Sequence, residues 1–137
     1  MSRIFVPADW AGRVHTTNFS VTIREAGPIS LVDVSGRLTS FESGALRDSI
    51  TRLLKQGRKN LVLNLSALHY LDSSGIGELA KIYVSVVKAS GEIKVIGLSS
   101  KVGEILKITQ LYQVFPEFSS EEEALKSFPQ SGPKKSR

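Results

Sequence analysis

Apolar and polar residues alternate with a period of two where the chain first shows a regular pattern. Phe19, Val21 and Ile23 are apolar and the residues between them are polar, which is typical of a strand with one covered face. A Gly-Pro turn follows at residues 27–28, and a second apolar run ends at Gly36. The pattern predicts two strands joined as an antiparallel hairpin.

The spacing of apolar residues changes to three or four in the segments 42–57, 76–88 and 100–111, which predicts three helices. The clearest of them has an apolar face that we expect to be buried. This face consists of Ile76, Leu79, Ala80, Tyr83, Val84 and Val87. Glu78 lies opposite, on the side expected to meet solvent. A fourth, shorter helix is expected at 119–128, with three glutamates at its start.

Three further apolar runs complete the pattern and predict strands. Residues 59–68 and 91–98 are nearly continuous apolar runs, as in strands covered on both faces, and Pro116 marks an edge strand within 112–118. Strands and helices then alternate, which predicts an α/β fold with a small mixed sheet of about five strands and about four helices. We expect a flexible N-terminal segment over residues 1–17, the folded domain over 18–129 and a flexible basic tail over 130–137.

Composition narrows the function. The net charge is +5, but three of the basic residues stand in the tail and the region 18–129 has 13 basic and 12 acidic residues. A folded basic face for nucleic acid is therefore not expected. There is no cysteine, which excludes disulfides and thiolate chemistry, and no apolar run suggests a signal peptide or a membrane span. These features favour a soluble cytoplasmic protein.

The segment LDSSGIGELA, residues 71–80, places an acid, two serines and two glycines where a strand gives way to a helix. A serine hydrolase would need a glycine two residues before its nucleophile and an oriented base, and neither serine has this context. GIGELA matches a dinucleotide-binding pattern, but the run 66–74 separates its first glycine from Leu65 in the predicted strand, whereas the pattern places that glycine directly after the strand. The sequence lacks a P-loop, and two separated histidines do not form a metal site. No catalytic residue, cofactor or metal is therefore expected.

Modification of a serine is the remaining function for this segment. Asp72, Ser73 and Ser74 stand at the predicted helix start, where any of them could cap free N–H groups. Capping does not account for Gly75 and Gly77, each of which costs a helix about 1 kcal/mol relative to alanine. The missing side chains would let another protein approach the serines closely. A phosphoryl group there would add about −1.5 to −2 charges at pH 7, which a helix start tolerates.

The stretch NLSALHYLDSSGIGELA closely resembles the signature of the bacterial STAS domain (sulfate transporter and anti-sigma-factor antagonist). The resemblance extends from about Phe19 to Phe128 and includes the SGRL turn, the KVIGLSSKVGEILKITQL segment and the final FPEFSSEEEAL. It implies a STAS fold. Among STAS proteins, the chain resembles the stand-alone anti-sigma-factor antagonists rather than the domains attached to transporters.

The resemblance implies a partner-switching cycle. Antagonists of this kind bind, when unphosphorylated, an anti-sigma factor that is also a serine kinase, and phosphorylation in a D-S-[ST]-G segment ends the complex until a serine phosphatase restores the protein. By this resemblance, Ser74 is the expected phosphorylation site and Ser73 is the alternative. The implied partner-binding residues are Asp72, Ser73, Ser74, Gly75, Ile76, Gly77 and Thr39. The alternative function is a constitutive STAS scaffold subunit in a signalling or lipid-transport complex.

The sequence departs from the family at one position beside this motif. Many antagonists carry an aspartate in a G-x-L-D pattern after the second strand, whereas GRLTS places Thr39 there, with Arg37 close by. Threonine cannot supply a carboxylate. This departure from the family pattern points to a different kinase partner, or to an antagonist that works within a larger signalling complex.

Overall fold

The structure of the protein is a computed structural model that describes residues 13–16, 19–39 and 43–129. The strands are β1 Arg13–Thr16, β2 Phe19–Ala26, β3 Ile29–Leu38, β4 Asn60–Leu71, β5 Glu92–Ile96 and β6 Glu117–Phe118. The helices are α1 Ser43–Lys55, α2 Ser73–Lys88, α3 Ser100–Ile108 and α4 Glu121–Lys126, and a short 3-10 helix, Leu111–Gln113, precedes β6. The predicted α/β fold with a mixed sheet and four helices is confirmed.

The strands form one sheet in chain order, from β1 to β6. The pairs β1–β2 and β2–β3 are antiparallel, and the pairs from β3 to β6 are parallel. The short strand after Pro116 lies at the edge of the sheet, as predicted. Parallel pairing brings the carboxyl ends of β3, β4 and β5 to the same edge, where loops can combine residues from several strands.

Strand β1 corrects one expectation. Residues 1–17 were expected to be flexible, but Arg13–Thr16 pairs with β2, and the sheet of the described residues has six strands rather than about five. Pairing satisfies the N–H and C=O groups that β2 would otherwise expose at an open edge. Residues 1–12, residue 17 and the predicted tail 130–137 lie outside the described residues, so the domain limits remain predictions.

The core has two parts, one on each face of the sheet. Helices α1, α2 and α3 cover the first face, where Leu46, Ile50, Leu79 and Leu106 are buried against the strands. Helix α4 covers part of the second face, over a smaller cluster that consists of Ile29, Leu31, Val62, Ile96, Ala124 and Phe128. Most of the core therefore lies between the sheet and the layer formed by α1, α2 and α3.

A polar set on the second face fixes α4 to the strands. Arg24 donates to Asp33 through Nε, at 2.7 Å, and to Glu121 at the start of α4 through Nη2, at 2.9 Å. Asn64 of β4 donates to the same Asp33 carboxylate at 2.9 Å. The hydrogen bonds to Asp33, and then those to Glu121, raise the pKa of Arg24 above its ordinary value, so this cation persists throughout the accessible pH range.

Strand β3 continues beyond its predicted end at Gly36. The antiparallel pairing with β2 does stop there, opposite Phe19. The parallel pairing with β4 goes on, and it joins Arg37 to Tyr70 and Leu38 to Leu71. Strand β4 is itself longer than the predicted run of 59–68, so the two strands extend together toward the start of α2.

Helix α2 is rotated relative to the prediction. The buried residues of the helix are Gly75, Glu78, Leu79, Ile82 and Val86. Each lies one position before a residue of the predicted face, while Val84 and Val87, which were expected in the core, are 47% and 50% exposed. The predicted face is thus wrong by one residue around the helix.

Two contacts explain this rotation. Gly75 lies so close to the Leu38 carbonyl that only a residue without a side chain fits on this side. Glu78, which is 6% exposed, lies beside Arg47 of α1, with Nε 3.2 Å from Oε2. Apolar residues occur on both candidate faces, so periodicity alone did not distinguish them.

We expect Arg47→Met to destabilise the protein by about 1–3 kcal/mol, because it leaves the Glu78 carboxylate buried without a cation. Within the described residues, Oε2 has no hydrogen-bond partner that could compensate. Urea denaturation of Arg47→Met, Glu78→Leu and the double variant measures the effect. Since an apolar pair can replace a buried ion pair at little cost, the double variant should recover most of the loss. Additive losses would contradict this coupling.

Candidate functional site

The predicted site residues meet at the carboxyl edge of the sheet. Leu38 ends β3 and Leu71 ends β4, and the two are paired, so Thr39 and Asp72 follow from adjacent strand ends. The Asp72 N–H donates to the Leu38 carbonyl at 3.3 Å, which ties the turn before α2 to β3. The structure therefore brings Thr39 beside the DSSG segment, although they are distant in sequence.

Asp72 is the N-cap of α2. Its backbone is extended, its Oδ1 accepts a hydrogen bond from the Gly75 N–H at 3.0 Å, and its carbonyl accepts one from the Ile76 N–H at 2.9 Å. These bonds satisfy groups that a helix start leaves unpaired. The carboxylate thus shapes the helix start, and its charge is already engaged in this cap.

Ser73 and Ser74 are the first two residues of α2, and both are exposed. Neither hydroxyl forms a hydrogen bond to another group in the described part of the chain. Both are therefore accessible to a modifying enzyme. Accessibility does not distinguish between them, and the preference for Ser74 stays a prediction.

The two glycines of the segment differ in their surroundings. Gly75 is buried, and a Cβ on it would collide with the Leu38 carbonyl oxygen and press against the Leu71 side chain. Gly77 is exposed, and a Cβ there would have no neighbour within 4 Å. The expectation that both glycines clear the surface for a partner is therefore wrong for Gly75, which internal packing requires, and fits Gly77.

An apolar surface continues from the serines along α2. Ile76 is half-buried, and Val84 and Val87 are exposed further along the same helix. Gly77 lies between the serines and this surface. The side of α2 that carries Ser73 and Ser74 therefore combines hydroxyls, a bare backbone position and exposed aliphatic side chains.

A basic cluster beside the site was not expected from the sequence. The guanidinium carbon of Arg37 lies 4.5 Å from the centroid of the Tyr70 ring, and Lys101 Nζ lies 6.0 Å from it. Both distances fit cation–π contacts. Arg37 had been noted only as a neighbour of Thr39, and the grouping of the three residues depends on strand register and on α3, which no local pattern reveals.

The described part of the chain shows neither a metal site nor a membrane span beside these features. His69 is exposed, and no group of three or more His, Cys, Asp or Glu side chains there could hold a metal ion. In the described ranges, no helix is both long and apolar enough to cross a membrane. A shallow cavity of about 520 Å³ lies further along the edge. It is lined by Leu98, Ser99, Ser100, Gly103, Glu104, Lys107 and Glu117.

Comparison with known proteins identifies the family. The model of the STAS domain family matches residues 20–124. An anti-sigma F factor antagonist of Paenibacillus polymyxa is 25% identical over 109 residues, which are 79% of this chain and 93% of that protein. An anti-sigma-B factor antagonist of Staphylococcus aureus is 29% identical over 84 residues, 58% of this chain and 74% of that one.

The crystal structure of an anti-sigma factor antagonist from Mycobacterium paratuberculosis has the same fold. Its TM-score with this chain is 0.72 at 24% identity, and the alignment covers 83% of this chain and 97% of that one. The chain belongs to the STAS domain family, and the family resemblance of the sequence is confirmed. The DSSG segment thus occupies the start of α2 in a STAS fold.

Proposed function

We propose that the protein is an anti-sigma-factor antagonist that acts by partner switching. In the unphosphorylated state it binds an anti-sigma factor that is also a serine kinase, and phosphorylation of Ser74 releases it. The observation that carries this proposal is the exposed pair of hydroxyls at a capped helix start, in a domain whose relatives include proteins named anti-sigma factor antagonists. A serine phosphatase would complete the cycle in the cytoplasm.

The proposed role is regulatory and involves no catalysis by the chain itself. Among the described residues, neither serine hydroxyl is hydrogen-bonded to a side chain that could act as its base, and Oδ1 of the neighbouring Asp72 accepts the Gly75 N–H instead. A nucleophilic serine would need such a base within hydrogen-bond reach. The same exposed hydroxyls are suited to receive a phosphoryl group from another protein's active site.

The surroundings of Ser74 support a partner that covers it closely. Gly77 adds no side chain to the neighbouring surface, the half-buried Ile76 precedes it, and the exposed Val84 lies about two turns further along α2. A protein that buries this surface must also desolvate whatever Ser74 carries. The hydroxyl costs little to cover, whereas a phosphate dianion costs several kcal/mol unless cations meet it.

Recovery of the partner tests the proposal. Unmodified protein, Ser74→Ala and Ser73→Ala are each immobilised and exposed to extract of the cell that makes the protein, and bound proteins are identified by mass spectrometry. We expect all three to retain an anti-sigma factor with kinase activity. Addition of ATP should release the unmodified protein and Ser73→Ala, with phosphate on Ser74, while Ser74→Ala should remain bound.

Two results would contradict this proposal. Phosphate on Ser73 with release of Ser74→Ala would move the switch to the neighbouring serine. Retention of a partner unaffected by ATP, with both serines unmodified in cells under growth and stress, would favour a constitutive STAS scaffold. The observation in favour of that second function is Thr39, which stands where many antagonists carry an aspartate.

A further inference from the structure

In the basic cluster formed by Arg37, Tyr70 and Lys101, the Tyr70 ring holds two cationic side chains in place before any ligand binds. Arg37 and Lys101 are exposed residues, and Tyr70 is half-buried. Contact with the ring at 4.5 Å and 6.0 Å restricts two side chains that would otherwise be highly mobile. A ligand that binds them therefore pays less of the ordering entropy that free lysine and arginine side chains would cost.

The charges of the cluster are not neutralised within the described residues. Neither Arg37 nor Lys101 forms an ion pair there, although six other pairs are present. Glu104, which stands three positions after Lys101 on α3, does not pair with it. Asp72 is the nearest acid in sequence to Tyr70, and its carboxylate caps α2. Two positive charges therefore face solvent without an internal counter-charge.

The cluster borders the serine-bearing turn. Arg37 pairs with Tyr70 in the sheet, and the next pair along, Leu38 with Leu71, leads directly to Asp72 and α2. Lys101 is in the first turn of α3, which begins after the neighbouring strand β5. A protein that covers Ser74 and continues along this edge of the sheet would reach the cluster.

We propose that the Arg37–Tyr70–Lys101 cluster binds a carboxylate-rich segment of the protein that docks on the DSSG surface. This inference deepens the proposed function and rests on it for the identity of that protein. Arginine offers a planar fork that matches a carboxylate, and lysine adds a second charge beside it. Charge complementarity at the margin of an interface fixes orientation and accelerates association.

Nucleic acid fits the cluster less well. A single-stranded base would stack on the Tyr70 ring, but Arg37 already covers a face of that ring at stacking distance. The region 18–129 also has 13 basic and 12 acidic residues, so the cluster is not part of a broad basic surface. Two isolated cations can pair with a few carboxylates, whereas a nucleic acid presents a long series of phosphates that needs more cations.

The first test uses peptides and does not require the natural partner. Labelled protein is titrated with a short peptide of alternating glutamate and serine, and amide NMR shifts locate the binding. We expect the largest shifts at Arg37, Tyr70 and Lys101, and affinity about three- to tenfold lower for Arg37→Gln/Lys101→Gln, because two exposed ion pairs are lost. A lysine–serine peptide should cause no such shifts.

The matched control is Lys55→Gln/Lys88→Gln, which removes the same charge from the last turns of α1 and α2. These residues are exposed and lie at the opposite edge of the sheet, so this control should bind the peptide like the unmodified protein. Equal weakening by both double variants would show a non-specific charge effect and overturn the proposal. Stronger shifts with single-stranded DNA than with the peptide would assign the cluster to nucleic acid and also overturn it.

The second test uses the anti-sigma factor recovered with the unmodified protein. Arg37→Gln/Lys101→Gln should weaken this complex and reduce the salt dependence of association, whereas the control should do neither. If Ser74→Asp weakens the complex but the cluster variant does not, the cluster proposal fails and the switch stands. If the cluster variant weakens it but phosphorylation has no effect, the proposed switch fails and the acidic contact stands.

Discussion

Phosphorylation of Ser74 is expected to weaken the complex with the anti-sigma factor by about two to three orders of magnitude. Covering a dianion costs several kcal/mol, and each 1.4 kcal/mol corresponds to about a tenfold change in affinity. The effect should be local, because Leu79, Ile82 and Val86 hold α2 in the core and a helix start accommodates negative charge. Titration calorimetry with the enzymatically phosphorylated protein measures it.

Two variants isolate the electrostatic cause. Ser74→Asp should bind more weakly than the unmodified protein and more strongly than the phosphorylated form, since it carries less charge. Ser74→Asn, which has a similar size and no charge, should retain most of the affinity. The circular dichroism spectrum and the melting temperature of the phosphorylated protein and of both variants should stay near those of the unmodified protein. If Ser74→Asp unfolds the domain, or Ser74→Asn binds as weakly as Ser74→Asp, the local electrostatic mechanism is wrong.

Gly75→Ala should destabilise the domain by about 1–2 kcal/mol. The added Cβ meets the Leu38 carbonyl oxygen, which belongs to a paired strand, and the Leu71 side chain. Forcing an atom into such a packed contact costs about 1–3 kcal/mol and occasionally more. The better helix preference of alanine offsets about 1 kcal/mol of this cost, and the backbone contact places the cost in the upper part of the range. Urea denaturation gives the change in the free energy of unfolding.

Gly77→Ala is the matched control for this variant. It makes the same chemical change on the same helix, where the new Cβ has open space around it. We expect it to leave stability unchanged or to raise it by up to about 1 kcal/mol, as in other exposed helix positions. Equal stability of the two variants would show that the contact between α2 and β3 relaxes freely, and that Gly75 is not required by packing.

The sequence predicted the fold class and the start of a helix at the DSSG segment, because both depend on local patterns. Alternation over Phe19 to Ile23 and the continuous apolar run after Lys59 identified strands, and the acid and serines at 72–74 identified a helix start. The rotation of α2 could not be obtained in this way. Ile82 and Val86 are as apolar as Tyr83 and Val87, so the choice of face depended on Leu38 and other distant residues.

At the candidate site, too, local sequence patterns did not show which separate elements come into contact. The sequence named Asp72 as one of three possible caps of the helix, and the structure selects it, but the contact of Gly75 with the Leu38 carbonyl joins α2 to β3 and no local pattern showed it. The basic cluster unites residues 37, 70 and 101, and it required the β3–β4 register and the start of α3. Contacts that join separate elements were therefore the part that pattern alone did not supply.

The attachment of the α2 start to β3 has a consequence for substrate recognition. Asp72 donates its N–H to the Leu38 carbonyl, and Gly75 lies against the same oxygen, so Ser74 occupies a fixed point on a folded surface. An enzyme that binds its substrate as an extended strand finds no such strand here. Under the proposed function, a kinase for Ser74 would have to recognise the folded domain, and a misfolded copy, which lacks this geometry, would not be modified.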